Sequence, residues 1–212
     1  MIRPTIIATG SSGNAVLLGE SRLRDCGVRW KHLAPAVQGL RPVLMTHQHG
    51  DHFCKSAVKK LAEERPLVRW ACGEWMVPLL SSCGVAADRI DRMADNQGMD
   101  YPGLCTVKRQ NTMHDVPNCC WHIDIAGQRI FYATDCGNLD GIEARGYELY
   151  LIEANHTQQE LREREALKKS RGEYSYEARA AMNHLSAEKA NEWLMDNAAA
   201  FSRIIYLHQH RD

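Results

Sequence analysis

This sequence predicts an α/β fold of the mixed, α+β kind: two strand-rich halves stacked as a sheet sandwich, with helices outside. Two observations lead to it. Apolar runs of strand length fill the N-terminal part, give way to helical spacing at Ala57, and return in a second block from Leu104. No linker, repeat or low-complexity stretch interrupts the chain, so one domain spanning 1–212 is expected.

Residues 5–8 and Ala15–Leu18 read as strands joined by the turn Gly10-Ser11-Ser12-Gly13-Asn14, built of turn-forming residues. A short strand around Leu23 ends at Asp25-Cys26-Gly27, and the apolar run 42–45 reads as a buried strand. Helical spacing covers 57–64. Residues 67–71 read as a strand and 74–82 as a second helix, despite Pro78. The polar stretch 81–100 carries no clear period. Strands follow over 104–109, 119–125, 129–133 and 147–153, the second and third joined by a turn at Ala126-Gly127-Gln128. Residues 157–169 read as a strongly charged helix, Ala187–Asn197 as an amphipathic one, and Arg203–Leu207 as a closing strand.

The 212 residues suffice for a substantial core, and 44% hydrophobic with 25% charged residues is ordinary globular composition. Lys+Arg and Asp+Glu both number 26, so no global basic field gathers nucleic acid and any polyanion site must be local. Met1-Ile2-Arg3-Pro4 reaches the glycine-serine turn too soon to leave a signal-peptide core, and no run approaches a membrane span. The eight cysteines, none in C-x-x-C spacing, then read as reduced, buried thiols of a cytoplasmic protein.

The run His47-Gln48-His49-Gly50-Asp51-His52 stands directly after the apolar strand. It places three imidazoles and a carboxylate within six residues, and both groups are ligands for zinc and similar divalent ions. A strand ending in a tight turn aims alternate side chains at one point and the rest at a second, which points to two adjacent ions. Four such matches over about 200 windows are expected by chance on the order of 0.001 times, so accident is a poor rival. Two ions need further ligands. Single His and Asp residues stand at three other strand ends: His114, Asp135 and His208.

The series His47-x-His49-x-Asp51-His52, then His114, Asp135 and His208, resembles the metal-binding signature of the metallo-β-lactamase fold over nearly the whole chain. Gly10-Ser11-Ser12-Gly13-Asn14, Asp25-Cys26-Gly27, Glu153-Ala154-Asn155-His156 and His184-Leu185-Ser186 are similar to a narrower branch. That branch holds small single-domain bacterial and phage hydrolases related to ribonuclease Z and to DNA exonucleases. The resemblance implies a four-layer αββα sandwich with two divalent metal ions, zinc first and manganese or iron as alternatives, at one edge of the paired sheets. It implies that His47, His49 and His114 hold the first ion, that Asp51, His52 and His208 hold the second, and that Asp135 bridges both. His210 is the alternative to His208.

Two ions about 3.5–4 Å apart lower the pKa of a shared water from 15.7 toward ~7. Counting the ions, Asp51, Asp135 and the resulting hydroxide leaves about +1, which favours a phosphodiester anion over a lactam or thioester. The activity implied is a phosphodiesterase, a nuclease or exonuclease acting on DNA or RNA, with Asp51 and His184 as catalytic residues. His184 would protonate the leaving oxygen; as a plain sequence feature it also reads as a structural histidine beside the helix cap Ser186. Ser12, Asn14, Asn155 and His156 are candidate substrate-binding residues, against the plainer reading of a hairpin turn and a strand terminator.

The basic residues Arg162, Arg164, Lys168, Lys169 and Arg171 are interleaved with Glu160, Glu163 and Glu165, which favours a solvated helix face over a nucleic-acid site. Two alternatives compete. One is a small-molecule hydrolase: a cyclic nucleotide phosphodiesterase, thioesterase or lactonase. The other is a metal-stabilised regulatory protein, which the complete ligand series and His184 speak against. The chain departs from the branch at Thr157, where an acidic residue is more usual, at Asn183, where glycine is common, and in stopping at Asp212.

Overall fold

The computed structural model describes residues 2–19, 21–175 and 177–209. Two six-stranded sheets run through these residues. The first has the order β1 (Pro4–Ala8), β2 (Ala15–Leu18), β3 (Arg22–Arg24), β4 (Val43–Leu44), β5 (Trp70–Cys72) and β6 (Ile90–Arg92). Taken from the opposite end of the chain, the second has β12 (Arg203–Leu207), β11 (Leu149–Glu153), β10 (Gln128–Ala133), β9 (Asn118–Ile125), β8 (Cys105–Thr112) and β7 (Gly98–Tyr101). Helices α1 (Trp30–Leu33), α2 (Lys55–Glu64) and α3 (Val77–Ser82) belong to the first half. Helices α4 (Gln158–Arg171), α5 (Glu177–Asn183) and α6 (Ala187–Asn197) lie between β11 and β12.

The layering follows from the two-residue period of strands. Val16, Leu18 and Leu44 face inward onto Ile130, Tyr132, Leu149 and Leu151, making the core between the sheets. Their neighbours Leu17, Val43 and Met45 face outward onto Ala57, Val58 and Leu61 of α2. On the other side Phe131, Ala133, Tyr150 and Ile152 pack on Ala190 and Leu194 of α6. Strands buried on both faces must be apolar throughout, which is why β2 and β11 show no polar alternation. The result is the αββα order expected.

Strand direction positions the site. β3, β4, β5 and β6 are mutually parallel, as are β10, β11 and β12. β8 and β10 are both antiparallel to β9 and so run the same way as each other. In each sheet, then, the C-terminal ends of these strands gather at one edge.

Several boundaries differ from the sequence reading. The polar stretch 81–100 holds β6, β7 and a short 3-10 turn, Ala87–Arg89. β5 begins at Trp70, and Leu67, placed in that strand by its hydrophobicity, is exposed. Residues 74–82 split into a 3-10 turn, Glu74–Met76, and α3, with Pro78 in the first turn where a missing N–H costs nothing. α5 is not legible in the sequence, because its seven residues make only about two turns, too short to show a period. Thr157 caps α4 in a reciprocal capping box with Glu160, which gives the unusual residue at that position a local purpose. The glutamates and basic residues of α4 are largely exposed, with one described ion pair from Lys168 to Glu177 at 2.6 Å. All eight cysteines are free thiols, and no helix among the described residues is long and apolar enough to cross a membrane.

Candidate metal centre

Each expected ligand lies just beyond a strand. His47, His49, Asp51 and His52 follow β4, His114 follows β8, Asp135 follows β10 and His208 follows β12. Three overlapping groups of ligand atoms form among the described residues: His47, His49 and His114 in one, Asp51, His52, Asp135 and His208 in the second, and Asp135, Glu153, His184 and His208 in the third, with the atoms of each group within 4.8 Å of one another. Asp25, Asp135 and His208 adopt φ of 56°, 54° and 50°, the left-handed region that non-glycine residues seldom occupy. Each turns the chain sharply at the edge of a strand and aims its side chain across the gap. Such strain concentrates at functional sites.

Groups outside the centre orient the imidazoles. His52 Nδ1 donates to Asp25 Oδ2 at 2.9 Å, and His208 Nδ1 stands between Asn155 Nδ2 at 3.1 Å and Glu153 Oε1 at 3.3 Å. His114 Nδ1 donates to the Asn183 carbonyl at 3.0 Å, and His49 Nε2 to Asp115 Oδ1 at 3.3 Å. Thr46 Oγ1 donates to Asp25 Oδ1 at 2.9 Å, so it accepts from His47 Nδ1 at 3.0 Å. In the neutral imidazoles the remaining nitrogens carry the lone pairs, and all face inward. His114 Nε2 and His49 Nδ1 stand 3.2 Å apart, close enough to share a proton or a cation. His52 Nε2 is 2.7 Å from Asp135 Oδ2, and His208 Nε2 is 3.3 Å from Asp51 Oδ2. His47 Nε2 is buried with no hydrogen-bond partner. Lone pairs crowded together in a buried site need a cation between them. The donor set, imidazole nitrogen with carboxylate oxygen, fits divalent ions of the zinc type.

The electrostatics agree. Burial opposes charge on His52, yet Asp135 and Asp25 hold its imidazole well above the usual histidine value. Burial likewise opposes charge on His208, which Asp51 and Glu153 carry up to about 10. Asp51 and Asp135 are kept below the usual carboxylate range by these histidines, against burial. The group around His52 and His208 is built to hold positive charge, whether protons or metal ions supply it, while burial keeps His47 and His114 below the usual histidine value, neutral and able to ligate.

Two residues of the centre were quoted in the sequence motifs but given no role: Asp25 and Glu153. Both are fully buried. Asp25 orients His52 and Thr46 and accepts from Tyr132 Oη at 3.1 Å. Glu153 Oε1 faces His184 and His208, while its Oε2 accepts backbone N–H groups of Cys136 and Leu185, each at 3.0 Å. Their charges correct the count made from sequence. With four buried or half-buried carboxylates in place of two, the sum with two divalent ions and a hydroxide becomes about −1 rather than about +1.

The centre forms the floor of a cleft of about 560 Å³, lined among others by Ser11, Asp115, Asn155, Arg179, Asn183 and His184. His184 stacks on His208 with ring centroids 5.3 Å apart and donates from Nδ1 to Glu153 at 2.7 Å. Of the four candidate substrate-binding residues, Asn155 lines the cleft and its Nδ2 touches the His208 carbonyl at 2.9 Å. The other three do not line it. Ser12 is exposed beside the cleft, where its neighbour Ser11 takes the lining position. Asn14 is buried, its amide engaged by Gly10 and by Asp51 and His52, so it braces the ligand loop. His156 is buried and pairs with Ser186 through a β-bridge. Tight turns and strand ends hide such polar side chains under neighbouring segments, which spacing alone does not reveal. His210 lies outside the described residues.

The sequence from residue 22 to 209 matches the family model described as the beta-lactamase superfamily domain. No curated protein matches the sequence. Among solved structures, the metallo-β-lactamase fold protein YhfI from Bacillus subtilis aligns with TM-score 0.73 and 15% identity over 100% of this chain and 87% of its own. Human tRNase Z, short form, aligns at 0.68 and 16%, covering 100% and 93%. Zinc-bound PqqB from Methylobacterium extorquens aligns at 0.69 and 14%, covering 99% and 89%. Fold, strand-end ligands and family model thus agree, and the chain belongs to the beta-lactamase superfamily, in its metallo-β-lactamase fold.

Proposed function

We propose that this protein is a binuclear metal-dependent hydrolase that cleaves phosphodiesters, acting as a nuclease on DNA or RNA. The observation that carries the reading is the set of inward-facing imidazole nitrogens and carboxylate oxygens, gathered in overlapping groups beneath an open cleft that also holds His184. His47, His49 and His114 would hold one ion and Asp51, His52 and His208 the other, with Asp135 common to both; zinc is the first candidate. Ions bound there supply Lewis acidity and lower the pKa of water. The chain's own residues do the rest. Asp25, Glu153 and Thr46 lock the ligand imidazoles, and Asn14 braces the Asp51–His52 loop. His184, its Nδ1 committed to Glu153, has Nε2 left to give a proton to the leaving oxygen. A tRNase Z is among the proteins that share the fold.

The revised charge count favours a second reading. A centre with a formal sum near −1 does not by itself select anions, so a thioesterase or lactonase on the same residues is the competing proposal. Metal analysis of the purified protein is expected to find about two divalent ions per chain. Assays on bis(p-nitrophenyl) phosphate, single- and double-stranded DNA, RNA, a lactone and a thioester then separate the readings. Turnover of the last two alone would overturn the phosphodiesterase.

A further inference from the structure

If the metal centre does not draw anions by its net charge, the cleft must hold a separate group that does. Arg179, on α5, is the only lysine or arginine lining it among the described residues. Its Nη2 donates to Asp115 Oδ2 at 2.8 Å, joining positions 64 residues apart. That uses one of five N–H groups, and the side chain is 73% exposed. Asp115 is tied in turn to the first ligand group, with Oδ1 at 3.3 Å from His49 Nε2. An exposed ion pair contributes little to stability, so holding the fold is a poor account of this contact. Its geometric effect is definite: Asp115 keeps a guanidinium at the rim, beside the first ligand histidines. The other cleft-lining side chains beyond the ligands, Asp115 and His184 are neutral: Ser11, Asn155, Ala180 and Asn183.

We propose that Arg179 is the phosphate anchor of this cleft, its free N–H groups binding a non-bridging phosphoryl oxygen while Asp115 holds it in place. The forked donor suits this, since it gives two parallel charged hydrogen bonds to one phosphate, which a lysine cannot do. The inference rests on the phosphodiesterase reading for the identity of the anion. The phosphoryl group belongs equally to a nucleic-acid backbone or to a small phosphodiester. Asp115 sits within the cleft as a fixed negative charge, so an anion that reaches Arg179 does so from the open side.

The test compares metal-loaded wild type, Arg179→Ala and Arg179→Lys, each with metal content verified. Calorimetric titration with inorganic phosphate reads the anchor directly, since binding to the metals is common to all three. Arg179→Ala is expected to weaken phosphate binding about 10-fold, with Arg179→Lys in between. KM for bis(p-nitrophenyl) phosphate and for a labelled single-stranded oligonucleotide should rise by a similar factor while kcat stays within about twofold. A rise for the oligonucleotide alone places the anchor on a flanking phosphate of the polymer; a rise for both places it on the scissile one. Phosphate affinity of Arg179→Ala equal to wild type overturns the proposal. Wild-type phosphate binding that depends on Arg179, with no hydrolysis of either phosphodiester, removes the phosphodiesterase reading and leaves an anion site.

Discussion

Glu153 Oε1 accepts a hydrogen bond from His184 Nδ1 at 2.7 Å, and Glu153 is the fully buried last residue of β11. Burial works against charge on His184, but the carboxylate outweighs it and raises the imidazole above its ordinary value. A general acid must be protonated to act, so activity is lost as pH rises through that value. His184→Ala is expected to lower kcat by about 10²–10⁴-fold with metal content unchanged. Glu153→Gln removes the charge and should move the alkaline limb of the pH–kcat profile to lower pH. An alkaline limb that stays put in Glu153→Gln would show that another group gives the proton.

Asp25 would act on a bound metal through His52. Its Oδ2 fixes the Nδ1–H tautomer, and its Oδ1 holds Thr46, which in turn fixes His47. Asp25→Asn is expected to reduce metal affinity by about 10–100-fold, measured by competition with a chromogenic chelator. Affinity equal to wild type would mean the ligands hold their orientation without it.

Gly27 is where the ligand loop packs against the backbone. A Cβ there would lie 1.7 Å from the Asp51 carbonyl oxygen and 2.7 Å from the His52 nitrogen. Neither can move without displacing two expected ligands. Gly27→Ala should destabilise by about 3 kcal/mol and lower metal content, whereas Gly50→Ala, with nothing within 4 Å of its Cβ, should change stability little. Thermal unfolding of the two variants compares them; equal melting temperatures would refute the packing argument.

His122 gives a pH signature away from the centre. Burial, with Lys108 adding to it, holds its imidazole down at about 4, against roughly 6.5 in the unfolded chain. As pH falls the unfolded chain takes up the proton first, so stability is lost between about pH 6.5 and 4, by at most about 3 kcal/mol. His122→Gln keeps a polar group near Tyr147 and Gln110 and cannot titrate. Its melting temperature should fall less than that of wild type over this window.

The ligand run after β4 was legible because a short apolar strand followed by clustered imidazoles is a local pattern. Asp135 and His208 were legible for the same reason, each standing directly after an apolar strand. Asp25 and Glu153 had the same address, at strand ends, and the left-handed φ of Asp25 matches that of Asp135. No ligand pattern marked them, since a carboxylate that binds an imidazole from behind looks in sequence like any other. Asn14 and His156 are buried away from the cleft lining by segments distant in the chain, which their local sequence does not show. β6 and β7 were missed because a sheet edge needs few apolar residues to pair.

By itself the sequence determined the layered fold and the identity and order of the metal-ligand candidates. Continuous apolar runs mark strands buried on both faces, and strand ends are read from where such runs stop. Only the tertiary structure decided which nitrogen of each histidine faces the centre, how many carboxylates surround it, and that Arg179 stands over it beside Asp115. Those are settled by hydrogen bonds between residues as far apart as Asp25 and Tyr132, or Asp115 and Arg179, and chain distance carries no record of them.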